Sequence, residues 1–235
     1  MRIIQNAGAD RAIDTLAPLL KRGAAISMAS SNFSLFAYSE LRTALEGVGD
    51  CRIVLPDPAK QDLQLLGSAS DRALRNQLQA RWLARSCMQW LERKAHARFA
   101  SKALPQSMIV VNGDAGGTNC ALVGACSFSS EGLGFAPGDA LGLTQYAEEA
   151  STVDALGRWF DSIWQNLNDR KHTNPLIEQL SEIADHKAPS LVYFQTLYQL
   201  FKDLGDELDE ERIVKSATGI RDTVVWKKLF RFQRD

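Results

Sequence analysis

The sequence predicts an α/β protein that ends in a helical segment, and three observations support this fold class. Candidate helices and strands alternate up to Pro56, an order typical of sheets with parallel neighbours. Two later strand candidates are separated by GDAGGT, whose Gly and Asp content favours a tight hairpin. Beyond Ser151 the apolar residues recur at helical spacing. The sheet is therefore expected first and the helical segment last.

The first elements are two helices that alternate with two strands. Residues 11–22 place apolar side chains at helical spacing before a stop at Gly23, and Pro18 is expected to kink this helix. The apolar run AAISMASSNFSLF is too short for a buried helix and precedes the helix-like YSELRTALEGV, which ends near Gly47 and Gly49. CRIVLPDP then predicts a buried strand that ends at Pro56.

A long helix precedes the next group of strands. Between Asp71 and Lys94 the apolar residues recur mostly at three- to four-residue steps, with Asp71 as the expected N-cap. The strand candidates AHARFAS, SMIVVN and NCALVGA follow. CSFSSEGLGFAPG predicts a loop or a single helical turn, and DALGLTQYAEE predicts a return to the sheet. Further helices are predicted at 153–167, PLIEQLSEIADH and SLVYFQTLYQLFKDLG, and the acidic run DELDEER is interpreted as a solvated surface.

Composition and charge exclude several classes of protein. The 235 residues are 45% apolar and 23% charged, as in ordinary globular chains, and no uncharged apolar run of about 18 residues predicts a membrane span. The N-terminus lacks the basic flank and apolar core of a secretory signal, so we expect a cytoplasmic protein with no membrane partner. With 27 basic and 28 acidic residues, the net charge of −1 gives no global positive field for nucleic acid.

Most candidate chemical groups have a simple structural interpretation. The four cysteines, Cys51, Cys87, Cys120 and Cys126, form no C-x-x-C pair and have no nearby His, so we expect buried reduced thiols and no metal. His172 and His186 fall in a polar loop and at a helix end, where a surface position is expected. The serines of GACSFSS do not form a G-x-S-x-G nucleophile elbow.

The order of six segments is similar to that of a known family. The segments are ISMASSNFSL, CRIVLPDP, the long helix, AHARFASKALPQSMIVVN, ALVGACSFSSEGLG and RWFDSIW. Together, over about residues 24–166, they resemble the phospholipase D-like (HKD) nuclease superfamily, and more narrowly its single-copy form that precedes bacterial helicases. Residues 122–133 carry the best-preserved part. The resemblance implies a mixed β-sheet sandwiched by helices over residues 1–168, with 169–235 as a helical extension that leads into a motor.

The resemblance also implies a reaction and the residues that would perform it. In the family a His imidazole attacks phosphorus, a Lys and an Asn hold the phosphoryl oxygens, and a second His from a partner copy protonates the leaving oxygen, without a metal. When the family's Leu-His-x-Lys is aligned with Leu104 to Ser107, Pro105 takes the nucleophile position and Ser107 the cation position. Asn112 then stands for the motif's Asp and Ser127 for the Asn of Gly-Ser-x-Asn. Because proline has no nucleophile and serine no charge, this register predicts a non-catalytic site.

A second register retains an imidazole and a cation. In His96-Ala97-Arg98 the two groups lie two residues apart, on one face of a strand. His96 would then be the nucleophile and Arg98 the phosphoryl clamp of a metal-independent phosphodiesterase, active as a homodimer because one imidazole cannot be both nucleophile and leaving-group acid. This register places Ala103 where the Asp should be and leaves a long interval before Gly124.

A local anion site is also predicted. Gly124, Ser127 and Ser129 offer backbone N–H groups and hydroxyls near an expected helix start. The nearby cations are Arg93, Lys94, Arg98 and Lys102. Such groups would give weak, salt-sensitive contacts to the backbone of DNA.

The last residues resemble the start of a helicase motor. Leu229, Phe232, Gln233 and Asp235 match the Leu-x-x-[FY]-Gln-x-[DE] segment with which superfamily 2 helicases, including the Snf2-like group, commonly begin. No G-x-x-x-x-G-K-[ST] phosphate loop occurs, so no cofactor is expected in these residues, whereas ATP and Mg²⁺ are expected in a parent helicase. The leading hypothesis is therefore a non-catalytic accessory domain with DNA as ligand and a helicase motor in cis. The remaining alternative is a structural interaction domain that docks onto a partner or onto the motor through Trp159 or Trp164 and the helical tail.

Overall fold

The computed structural model describes residues 2–68, 71, 80–114, 117–138, 142–167 and 175–185. The chain divides into two compact units, residues 1–186 and 187–235, and every described residue belongs to the first. Several predicted features lie outside the described residues: the helix over 190–205, the acidic run, the helicase-like segment, His172 and His186. No described helix is both long enough and apolar enough to cross a membrane.

A seven-stranded mixed sheet forms the centre of the first unit. Its strands are β1 (Arg2–Ile4), β2 (Ala25–Ala29), β3 (Asp50–Pro56), β4 (Ala95–Ala100), β5 (Ser107–Asn112), β6 (Cys120–Gly124) and β7 (Thr144–Ala147). Their order across the sheet is β1-β7-β6-β5-β2-β3-β4. The neighbours β2, β3 and β4 are parallel, whereas the β2–β5, β5–β6, β6–β7 and β7–β1 pairs are antiparallel. The α/β class and the predicted β5–β6 hairpin are confirmed.

Helices cover both faces of this sheet. They are α1 (Ala12–Leu16), α2 (Leu35–Gly47), α3 (Ala80–Lys94), the single turn α4 (Ser130–Leu133), α5 (Ala150–Asn166) and α6 (Pro175–Asp185). The larger apolar core lies on the face that carries α1, α2, α3 and α6. A smaller core joins α5 to the other face through Val153 and Phe160, which pack with Val54 and Val110. Burial of these apolar side chains is the main force that holds the layers together.

The helix α5 is also attached to the sheet by a polar anchor. The guanidinium of Arg52, on β3, donates hydrogen bonds to the Asp161 carboxylate of α5 at 2.8 Å and to the hydroxyl of Ser27 on β2 at 2.8 Å. It also lies 5.2 Å from the centre of the Phe160 ring. A half-buried cation between two strands and one helix therefore fixes where α5 crosses the sheet.

Several boundaries differ from the sequence-based expectation. The predicted helix over 11–22 is limited to α1 and a short 3₁₀ turn, Ala17–Leu19, because Pro18 cannot donate a backbone hydrogen bond to continue the α-helix. The strand β1 was not expected. The predicted domain boundary after residue 168 precedes α6, which packs against α3 within the first unit. Asp71 is buried, and the residues it was expected to cap, 72–79, lie outside the described part.

Candidate functional site

Three strand ends meet around a small polar cavity, which we name the serine cavity. It has a volume of about 290 Å³ and its lining includes Ser31, Pro105, Ser107, Gly124 and Ser127. Ser31 follows β2, Ser107 begins β5 and Gly124 ends β6. The sheet brings these positions together because Ser107 pairs with Gly124, while Met108 pairs with Ala29 at the end of β2. Antiparallel pairing thus places the start of one strand beside the ends of its neighbours.

Ser107 is a buried structural group within this cavity. Its residue is 2% exposed, and its hydroxyl oxygen accepts a hydrogen bond from the backbone N–H of Ser31 at 3.2 Å. The Ser31 hydroxyl lies 3.4 Å from the same oxygen, and the thiol of Cys126 donates to the Ser107 carbonyl at 3.4 Å. The Ser107 hydroxyl therefore joins the segment after β2 to the start of β5.

Several polar groups of the loop after β6 form hydrogen bonds with one another or with the neighbouring Ser30 hydroxyl. The hydroxyls of Ser127 and Ser129 lie 2.9 Å apart, and the Ser129 hydroxyl accepts the backbone N–H of Gly132 at 3.0 Å, which caps α4. The backbone N–H of Phe128 donates to the hydroxyl of Ser30 at 2.7 Å, and that hydroxyl donates to the carbonyl of Asn32 at 2.6 Å. These bonds hold the loop in shape, and they occupy donors that an anion would otherwise use.

The loop also requires glycine at two points. Gly124 has a φ of +121°, and a Cβ there would lie 2.2 Å from the carbonyl oxygen of Leu143. A Cβ on Gly132 would lie 2.3 Å from the carbonyl oxygen of Ser127 and 2.6 Å from its backbone nitrogen. Both contacts are shorter than real Cβ atoms allow, so the backbone of the loop is packed too closely for a side chain.

The charge of the serine cavity differs from that of a phosphate site. Among its described lining residues the charged side chain is that of Glu131, and none is a Lys, Arg or His. The lining also includes Asn6, whose amide donates to the carbonyls of Glu131 at 3.2 Å and Gly132 at 3.0 Å. The carboxylate of Glu131 in the lining disfavours a phosphate by charge repulsion.

The residues aligned with the family motif lie at two places. Pro105, Ser107 and Ser127 line the serine cavity together. Asn112 is exposed at the far end of β5, and five residue steps along a strand cover roughly 17 Å. The three motif positions that line the cavity therefore carry the ring of Pro105, which has no nucleophilic atom, and the hydroxyls of Ser107 and Ser127.

His96 and Arg98 lie on the edge strand β4. Four strand-to-strand steps separate β4 from β6, the strand of Gly124, which corresponds to roughly 19 Å. The guanidinium of Arg98 lies 4.3 Å from the centre of the Trp164 ring and donates to the carbonyls of Trp164 and Leu167. His96 is exposed and pairs with Arg52 in the sheet register. The two side chains do not converge on the Gly124 loop.

The predicted cations do not form one patch. Arg93 donates from Nε to the carbonyl of Gln89 at 3.0 Å, and Lys94 donates to the carbonyls of Glu46 at 3.0 Å and Val48 at 3.3 Å. Lys94 thus covers the C-terminal end of α2, where exposed carbonyls favour a cation. Lys102 follows the other end of β4, roughly 20 Å away along the strand.

Sequence reasoning missed three contributors to the cavity, Asn6, Ser31 and Glu131. The run of small polar residues directly after β2, Ser30-Ser31-Asn32, was a usable signal, because side chains at a strand end often face a site. Asn6 gave no such signal, since its place depends on a positive φ of 53° and on contacts with a segment more than a hundred residues away. No group of three or more His, Cys, Asp or Glu able to hold a metal occurs among the described residues.

Comparison with known proteins gives little beyond this geometry. No family model matches the chain, and no curated protein matches it. Among solved structures, one match is the structure of TrmBL2, an archaeal chromatin protein that "shows a novel mode of DNA binding". The TM-score is 0.40 with 12% sequence identity, over 71% of this chain and 53% of that chain. The match therefore spans about half the length of the chromatin protein.

Proposed function

We propose that this chain is a non-catalytic phospholipase D-like domain that engages DNA as an accessory module of a helicase. The observation that carries the proposal is the serine cavity, whose lining brings together Pro105, Ser107 and Ser127, the residues that the sequence alignment sets against the family's His, Lys and Asn. On this proposal the domain retains the fold of the family but, without a nucleophile, has lost phosphodiester cleavage.

The chemistry of the cavity supports loss of catalysis at each step. Covalent capture of phosphorus needs an unprotonated nucleophile, and the Pro105 ring has none. Stabilisation of the charged transition state needs donors or cations aimed at the phosphoryl oxygens. The Ser107 hydroxyl is instead bonded to the backbone of Ser31, and Glu131 adds a negative charge to the lining. No group in this lining therefore replaces the missing residues.

The phosphodiesterase alternative has less support from the geometry. It requires His96 and Arg98 to face one phosphate near the Gly124 loop, and the side chain of Arg98 is instead engaged with Trp164 and Leu167 at the end of α5. A cation that holds two helix-terminal carbonyls fixes packing, because the last carbonyls of a helix lack intrahelical partners. Arg98 is best explained as a structural residue.

A paired binding and cleavage assay tests this proposal. The 235-residue chain is titrated against fluorescein-labelled single-stranded and duplex DNA at about 50 mM salt, and cleavage of the same DNA is followed in EDTA. We expect binding that weakens as salt rises, and no cleavage by the wild type or by His96→Ala. If neither DNA binds at this salt concentration, the proposed DNA role is overturned. If the wild type cleaves in EDTA and His96→Ala does not, the phosphodiesterase alternative replaces it.

The helicase part of the proposal is supported by Leu229, Phe232, Gln233 and Asp235, which match the segment that precedes a motor. It is tested in the coding sequence downstream of Asp235. We expect a G-x-x-x-x-G-K-[ST] phosphate loop within about the next hundred codons, because that loop binds the nucleotide phosphates of the motor. A stop codon directly after Asp235 would remove the motor in cis and leave a free-standing DNA-binding domain.

A further inference from the structure

A second and larger cavity lies beside the serine cavity, between α5 and the segment that joins β4 to β5. We name it the α5 groove. It has a volume of about 590 Å³, and its floor and walls include Leu104, Met108, Leu156, Trp159 and Ile163, with Lys102 at its rim. This size falls within the range of ordinary ligand sites, which combine an apolar lining with few polar groups. The α5 groove is therefore large enough for a ligand and suited to an apolar group.

Trp159 is the most exposed large side chain of the groove. It is 46% exposed, and it has no aromatic or cationic partner among the described residues. Trp82, by contrast, is 50% exposed but has the guanidinium of Arg42 4.8 Å from its ring centre. Exposing an indole to water loses hydrophobic stabilisation, which an aromatic ligand stacked on Trp159 would restore.

Charge at the α5 groove favours an anionic ligand. No acidic residue is among its described lining residues, whereas Lys102 is. Lys102 forms no ion pair within the described part of the chain. A cation without an ion-pair partner therefore lies at the rim of an apolar groove.

The α5 groove is continuous with the serine cavity. Pro105 and Ser107 line both cavities, so the two share a wall made by the start of β5. A linear ligand could therefore lie along this wall with its apolar groups in the groove. A strand of nucleic acid has this chemistry, because each nucleotide joins a flat base to an anionic phosphate.

We propose that the α5 groove binds single-stranded nucleic acid, with a base stacked on Trp159 and a phosphate held by Lys102. This inference rests on the proposed function and adds the place and the form of the DNA. Unpaired bases are required, since the bases of a duplex are already stacked on one another and their faces are closed to an indole.

The test is a titration of the full 235-residue chain with a fluorescein-labelled oligothymidylate of about 12 nucleotides, followed by anisotropy at about 50 mM salt. We expect Trp159→Ala to weaken binding by about 5- to 100-fold, which corresponds to the loss of one base stack. Trp159→Phe keeps an aromatic face and should retain most of the affinity. Lys102→Gln should lower the slope of log affinity against log salt concentration by about one.

Two matched variants separate the groove from general surface effects. Trp82→Ala removes an equally exposed indole on the other face of the sheet, and Lys21→Gln removes an exposed lysine that lies near Gly113, beyond the opposite end of β5. Both should bind the oligonucleotide within about twofold of the wild type. Circular dichroism and thermal melting of every variant confirm that each one is folded before it is compared.

The outcomes distinguish this inference from the proposed function. If the wild type binds the oligonucleotide and the folded Trp159→Ala binds equally well, the groove is not the site, although the DNA role stands. If a duplex of the same length binds as tightly as the single strand, with the same loss in Trp159→Ala, base stacking is overturned. If the wild type binds neither DNA, the proposed function fails together with the inference.

Discussion

The hydroxyl of Ser107 accepts a hydrogen bond from the backbone N–H of Ser31 at 3.2 Å, and this bond joins β5 to the segment after β2. It lies at the position where the phospholipase D-like resemblance expects a phosphate-binding lysine. The Ser107 residue is 2% exposed, so its hydroxyl makes this bond away from solvent. Ser107 is therefore part of the packing of the sheet.

The first prediction concerns the stability that this bond supplies. Ser107→Ala removes the acceptor of the part-buried Ser31 N–H, and the loss of such a hydrogen bond costs about 0.5 to 1.5 kcal/mol of the free energy of unfolding. Urea denaturation measures the change. Ser162→Ala is the matched control, because the Ser162 hydroxyl makes an exposed bond within α5 and its loss should stay within about 0.5 kcal/mol. Equal effects of the two substitutions would show that the Ser31–Ser107 bond is not stabilising.

The second prediction uses the close approach of two loop segments. Gly132→Ala forces a methyl group to within 2.3 Å of the Ser127 carbonyl oxygen, so the loop must shift. Such overpacking costs about 1 to 3 kcal/mol. Gly157→Ala, in α5, is the control, because its Cβ meets nothing within 4 Å and alanine favours a helix by about 0.5 to 1 kcal/mol. Thermal melting should therefore move in opposite directions for the two variants, and the prediction fails if Gly132→Ala is as stable as the wild type.

The third prediction concerns the anchor between α5 and the sheet. Arg52→Ala removes hydrogen bonds to Asp161 and Ser27 together with the contact to the Phe160 ring. We expect a loss of about 1.5 to 3 kcal/mol, the range for hydrogen bonds that involve a charged group. Chemical denaturation of Arg52→Ala, Asp161→Ala and the double variant gives the coupling energy of the pair.

The exposed ion pair Arg11–Asp14 provides the control for this cycle. Its Nε–Oδ2 distance is 2.7 Å, but solvent screens both groups, so Arg11→Ala should cost much less stability than Arg52→Ala. If Arg11→Ala and Arg52→Ala lose similar stability, the position of Arg52 between two strands and a helix adds nothing to the free energy of unfolding.

The fourth prediction is a pH dependence that arises from the cysteines. All four are buried free thiols, as the isolated Cys pattern predicts. Burial raises the pKa of the Cys120 and Cys126 thiols from 9.0 to about 12, and it raises the pKa of the Cys51 and Cys87 thiols as well. In the unfolded chain the thiols ionise near pH 9, whereas the folded protein keeps its protons, so stability is lost as pH rises from about 9 toward 12.

Unfolding in urea at several pH values between 8 and about 11 measures this loss. Cys120→Ala should be less stable at pH 8 because it leaves a small void, yet its stability should fall less steeply above pH 9. An Ellman titration adds a direct readout, since the native thiols should react slowly at pH 8 and all four should react once the chain is unfolded. Rapid reaction of the native protein would contradict the burial of these groups.

The strands of the central sheet were predictable because each is an apolar run with clear ends. β3 stops at Pro56, and β5 and β6 flank a Gly- and Asp-rich turn. The apolar runs and the Pro, Gly and Asp residues that interrupt them therefore predict the same strand ends. β1 was not predictable, because a run of three residues that pairs with a strand some 140 residues later carries no local signal. Local sequence also does not say that α6 packs on α3, since that choice depends on tertiary contacts.

The serine cavity was likewise predictable from the sequence only in part. The motif alignment groups Pro105, Ser107 and Ser127, and these residues line one cavity, since the hairpin sets their register. Glu131 and Ser31 join them through contacts of the single helical turn α4 and of the segment after β2, which no spacing in the sequence encodes. The α5 groove exists because α5 leaves part of the sheet uncovered. The position of α5 on the sheet follows from the packing of Val153 and Phe160 and from the Arg52 anchor.

The pairing of β1 with β7 has a consequence for the order of folding. Arg2 pairs with Tyr146 and Ile4 with Thr144, so the strand synthesised before the other six pairs with the strand synthesised after them. Contacts between residues so far apart in the chain are slow to form, because a long loop must be ordered before they are made. During synthesis β1 therefore has no strand partner until β7 has left the ribosomal exit tunnel. A nascent chain that ends before β7 therefore leaves Ile4, which is 1% exposed in the folded protein, without the strand it pairs with.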